Sequence, residues 1–140
     1  MPIIRQGRFC PPDAPCAGFD PAARETEIEV SSDTDPAALV PHLEWLRFVT
    51  ILFPSPADGR GFSIAARLRE EGFEGTLRAK GHILADQYPL ALRCGFDEVE
   101  ITAELAARIP EQQWLDAFAR VTHNYQDRLR GSVDHQSVAA

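Results

Sequence analysis

The stretch Arg47-Phe48-Val49-Thr50-Ile51-Leu52-Phe53 decides the fold. It is a short, nearly unbroken apolar run, rich in β-branched and aromatic residues, and it stops at Pro54. That is the pattern of a strand buried on both faces, which belongs in a parallel sheet covered by helices. On its amino side, Glu27–Ser31 alternates polar and apolar residues and reads as a first strand. Between the two, Ser31 to Pro36 is turn chemistry. Asp35-Pro36 can cap and start a helix, which is expected to run to about Leu46 with Leu39, Val40, Leu43 and Leu46 as its apolar stripe. On its carboxyl side a second helix is expected over about Phe62 to Glu71, with Ile64, Ala65 and Leu68 at helical spacing and Gly72 as its C-terminal glycine.

Further out, Thr76–Lys80 reads as a third strand. Ile83, Leu84, Tyr88, Ala91 and Leu92 define a third helix face, which Pro89 must kink or split into two short helices. Asp97–Ile101 is a fourth strand, Thr102 can cap a short helix to Arg108, and Pro110 opens a last helix through Trp114 and Phe118. The order is β-α-β-α-β-α-β-α, a single α/β domain on a parallel sheet of about four strands with right-handed crossovers. A sequential strand order would make it half-barrel-like; a reordered one would make it doubly wound. The domain is drawn over residues 27–130. Residues 1–26, with five of the eleven prolines, read as irregular or as a short hairpin, and residues 131–140 as a disordered tail. Val49, Ile51, Leu68, Leu77 and Ile101 are the expected core.

Composition bounds the function. The chain has 140 residues, of which 44% are hydrophobic and 25% charged, ordinary values for one globular domain. Its 14 Lys and Arg against 21 Asp and Glu leave a net charge of −7, which repels phosphate backbones and anionic lipid. Arg60, Arg67, Arg69, Arg78 and Lys80 lie near one another, but Glu70, Glu71 and Glu74 are interleaved. Neither nucleic acid nor membrane is an expected partner, no apolar run is long enough to span a bilayer, and the cytoplasm is the default location. The three cysteines, Cys10, Cys16 and Cys94, match no disulfide framework, redox pair or zinc knuckle. No metal site is expected, because His42, His82, His123 and His135 lack ligand spacing.

In an open parallel sheet, ligands bind outside the carboxyl ends of the strands. That selects the loops Pro54–Ser63 and Gly81–Gln87. Gly59 and Gly61 permit close approach to the backbone, Ser63 stands at a helix start that favours an anion, and Arg60 can add a forked contact. Gly59, Arg60, Gly61 and Ser63 therefore form a candidate site for a sulfate-, phosphate- or carboxylate-sized group. In the alternative, Asp58 or Ser63 caps the helix and Arg60 pairs with a carboxylate. His82 and Asp86 are candidate acid–base groups, though Asp86 can equally pair with Arg93 two helical turns on. There is no Gly-rich dinucleotide loop, no P-loop and no cysteine set for an iron–sulfur cluster. No cofactor is expected, with the reservation that a flavin needs no such motif.

The string Asp58-Gly59-Arg60-Gly61-Phe62-Ser63, then Leu77-Arg78-Ala79, Asp86-Gln87, and Arg93-Cys94-Gly95-Phe96-Asp97 resembles the core of an uncharacterised bacterial family, a domain of unknown function. Its members are commonly labelled as oxidoreductases of sulfite reduction and are often encoded beside sulfite reductase, so the label rests on gene neighbourhood. The resemblance covers roughly residues 45–101, with a weaker echo at Tyr125-Gln126, and departs from the usual pattern at His82 and Ala85. It implies a role in sulfur metabolism, with sulfite reductase or another sulfur-assimilation enzyme as partner, and it marks Asp58, Arg78, Gln87, Arg93 and Asp97 as family-like positions. Three readings follow: an accessory protein of sulfite and sulfate assimilation that binds a small anion, a small oxidoreductase with its site at the carboxyl edge, and a homodimer that builds a site between two copies.

Overall fold

The computed structural model describes residues 2–11, 17–18, 26–55 and 57–121. The expected tail, Cys16, His123, His135 and Tyr125-Gln126 lie outside the described residues. The strands are β1 (Ile3–Arg5), β2 (Arg8–Cys10), β3 (Ala17–Gly18), β4 (Glu27–Val30), β5 (Phe48–Phe53), β6 (Thr76–Gly81) and β7 (Glu98–Ile101). They form one mixed sheet in the order β2-β1-β7-β6-β5-β4-β3. Every pairing from β3 to β7 is parallel, whereas β1 runs antiparallel to both β7 and β2.

The α/β class read from the sequence stands, but the sheet of about four parallel strands is corrected to seven strands, with two antiparallel pairings, both made by β1. The N-terminal hairpin is the cause. Its two strands have only three residues each, too short for a clear alternation, yet Ile3, Ile4 and Arg5 pair in register with Glu100, Val99 and Glu98. The sheet thus begins ahead of the boundary drawn at Glu27. Strands β4 to β7 lie side by side in chain order.

The helix expected from Asp35 to Leu46 is also corrected. The segment forms two 3-10 turns, Pro36–Ala38 and Val40–His42. Asp35 caps the first, its carboxylate accepting the Ala37 N–H at 3.0 Å. Pro41 lacks the N–H that a continuous helix needs there. The other crossovers are as read: α1 (Arg60–Glu70) links β5 to β6, ending at Gly72 with φ +96°, and a 3-10 turn (Ala85–Gln87) with α2 (Tyr88–Arg93) links β6 to β7. Pro89 sits in the first turn of α2, the second of the two arrangements expected for it. Thr102 caps α3 (Ala103–Arg108) through the Leu105 N–H at 3.1 Å, and α4 covers residues 111–121.

Side chains alternate across a strand, and here the alternation separates apolar from charged. Ile28, Val30, Val49, Ile51, Phe53, Leu77, Ala79, Val99 and Ile101 are buried in one cluster with Phe62, Ala65 and Leu68 of α1, Ala91 of α2, and Trp114 and Ala117 of α4. All five expected core residues are fully buried. On the other face, register aligns Glu29, Thr50, Arg78, Glu98 and Arg5 across five strands. Arg78, only 3% exposed, donates from Nε to Glu98 Oε1 at 2.8 Å and lies 4.7 Å from the centroid of the Phe48 ring. Glu98 also accepts from Arg5, while Lys80 stands 3.2 Å from Glu29 and 3.5 Å from Glu100. These ion pairs occupy the face opposite the apolar cluster. At the β2 edge, Glu111 of α4 accepts the Phe9 N–H at 2.8 Å.

Candidate functional site

Parallel strands deliver the loops after β4, β5 and β6 to one edge. There the loop after β5 folds back on its own carboxylate. Asp58 accepts the Arg60 backbone N–H at 3.1 Å, the Arg60 Nε at 3.0 Å, the Arg60 Nη2 at 2.9 Å and the Ser32 hydroxyl at 2.6 Å. The side-chain bonds from Arg60 and Ser32, with the Arg60 backbone N–H, hold its carboxyl well below the usual carboxylate range. Asp58 therefore accepts the first N–H of α1 and pairs with Arg60, the second of the two arrangements the sequence allows. The pairing uses one edge of the guanidinium. The Arg60 side chain remains 62% exposed, while that of Asp58 is 11% exposed.

The four anion-site residues do not share one environment. Gly59 is exposed with nothing within 4 Å of a Cβ position, and Ser63 is exposed on the outer side of α1. Gly61 is buried, and a Cβ there would lie 2.4 Å from the Cζ of Phe53. Its backbone faces the Phe53 ring rather than solvent. Arg60 and Ser63 line a cleft of about 450 Å³ between α1 and the loop after β4, with Ser32, Thr34, Pro36 and Arg67 among its other walls. Arg67 and Ser32 were not singled out from the sequence. Arg67 could have been, since it follows Arg60 by seven residues on the same helix face; Ser32 arrives only through the β4–β5 pairing.

The other candidates stand apart. His82 is exposed, and its backbone N–H donates to the Phe53 carbonyl at 3.0 Å. Asp86 is exposed in a separate cleft of about 250 Å³ with Gln113, Asp116 and Arg120, and it forms no ion pair with Arg93. Two of the remaining family-like positions, Asp97 and Gln87, hold loops together. Asp97 accepts the Leu77 N–H and the Arg69 Nη2, both at 2.9 Å. Gln87 accepts the Leu84 N–H at 2.9 Å, which closes the 3-10 turn before α2. Arg78 belongs to the buried ion pairs of the sheet face. Cys10 and Cys94 are free and half-buried, and burial pushes the Cys94 thiol up. Among the described residues, no group of three His, Cys, Asp or Glu residues could hold a metal ion, and no helix is long and apolar enough to cross a membrane.

Comparison with curated proteins and with solved structures returns no match. The family described as "Bacterial protein of unknown function (DUF934)" has a model that matches residues 27–135, and with that share of its length inside the match the chain belongs to this family.

Proposed function

We propose that this chain is an accessory protein of assimilatory sulfite and sulfate reduction, acting in the cytoplasm as a binding module rather than as an autonomous redox enzyme. The pathway rests on the resemblance carried by the string from Asp58 to Asp97. The binding role rests on one observation: Arg60 is fixed by Asp58 and Ser32 through Nε and Nη2 while its side chain stays 62% exposed. A guanidinium pinned along one edge has lost most of its rotamer freedom before a ligand arrives, so less entropy is lost when its outer edge meets an oxyanion. Sulfite reductase, or another enzyme of sulfur assimilation, is the partner that this reading names. The oxidoreductase reading is less well supported, because Arg60 and Ser63 line one cleft and Asp86 another.

Calorimetric titration with sulfate, sulfite and phosphate tests the binding role. Arg60→Ala should weaken binding about tenfold or more, as loss of a hydrogen bond to a charged group does. No detectable heat with the wild-type chain would remove the anion site.

A further inference from the structure

The cleft beside α1 is larger and less polar than an inorganic anion requires. Its volume of about 450 Å³ falls in the range of small-molecule sites. Arg60, Ser63 and Arg67 line it from α1, two helical turns from first to last, on one side of the helix. Arg67 spends Nε on Glu71 at 2.9 Å, and Arg60 spends Nε and Nη2 on Asp58. The outer Nη groups of both have no acceptor among the described residues. Pro36 and the aliphatic stems of the two arginines add apolar wall, while Ile64 behind them is only 3% exposed.

Resting on the anion-binding reading, we propose that this cleft binds a monoester of sulfate or phosphate, the oxyanion held between Arg60 and Arg67 and the organic body lying on Pro36 and the stems of the two arginines. Two carboxylates oppose a bare anion here. Asp33 lines the cleft, and Glu71 pairs with Arg67. With Asp58 they outnumber the two arginines, so net attraction at long range is weak, and salt screens it within about 8 Å. Direct hydrogen bonds from the guanidiniums must then be joined by burial of an apolar body, which an inorganic ion lacks. The sulfur and phosphorus esters share this chemistry.

The test titrates the full chain with phenyl sulfate, phenyl phosphate, sodium sulfate and sodium phosphate, alongside Arg67→Gln and Asp33→Asn. The expected result is a phenyl ester bound about tenfold tighter than its parent anion. Arg67→Gln should weaken that ester about tenfold or more, with an unchanged circular dichroism spectrum, and Asp33→Asn should tighten it. The sulfate and phosphate arms show which ester is preferred. Esters bound no tighter than the inorganic anions would overturn this proposal and leave the simpler anion site standing. No binding of any of the four would overturn both. A folded Arg67→Gln with undiminished ester affinity would remove Arg67, and with it the two-arginine clamp.

Discussion

Gly61→Ala separates packing from ligand approach at the family-like loop. A Cβ at Gly61 would sit 2.4 Å from Cζ and 2.8 Å from both Cε atoms of Phe53. That ring cannot swing aside freely: it is 2% exposed and packs against Phe62 at 4.9 Å and Phe96 at 5.8 Å between centroids. Forcing extra volume into such a site costs about 1–3 kcal/mol. Replacing a helical glycine by alanine returns at most about 1 kcal/mol, and less in a first turn. A net loss of about 1–2 kcal/mol is expected. Gly59→Ala is the internal control, because φ is −89° and nothing lies within 4 Å of its Cβ position, so its effect should stay within about 0.5 kcal/mol. Urea denaturation followed by the fluorescence of the fully buried Trp114 reads both. Equal stability of Gly61→Ala and wild type, or a larger loss at Gly59 than at Gly61, would refute the packing assignment.

Two other outcomes follow from buried polar groups. Glu98→Leu leaves Arg78, whose side chain is 3% exposed, without its main partner and should cost about 3–5 kcal/mol, whereas Arg78→Met combined with Glu98→Leu should recover much of that in the same denaturation assay. Burial pushes the Tyr88 phenol from 10.0 up to about 12, against the pull of the Gly7 N–H that it accepts at 3.1 Å. The unfolded chain therefore releases this proton first. The stabilisation, about 3 kcal/mol, is complete below pH 10 and lost as pH rises towards 12, so Tyr88→Phe should flatten the alkaline limb of the stability profile.

The four longer strands were legible because their apolar residues either run together, as in Phe48–Phe53, or alternate with charge, as in Thr76–Lys80. Their pairing partners were not. That Arg78 meets Glu98 follows from the β6–β7 register, and nothing local to either residue encodes it. The 3-10 turns from Pro36 to His42 are hidden by the helical spacing of Leu39, Val40, Leu43 and Leu46, which Pro41 alone contradicts. At the site, the turn chemistry of Asp58-Gly59 marks the loop, and pairing of Arg60 with a nearby carboxylate is one of the two arrangements its residues allow. The glycine doublet misled in part, since Gly59 and Gly61 look alike in sequence and only the fold places the Phe53 ring against one of them.

Growth of a deletion strain on single sulfur sources tests the assignment to sulfite and sulfate assimilation most directly. Loss of this chain should slow growth on sulfate or sulfite, leave growth on sulfide and cysteine intact, and be restored by the wild-type gene but only weakly by Arg60→Ala. Equal growth on all four sources would contradict the assignment and leave the family membership and the fold without that function.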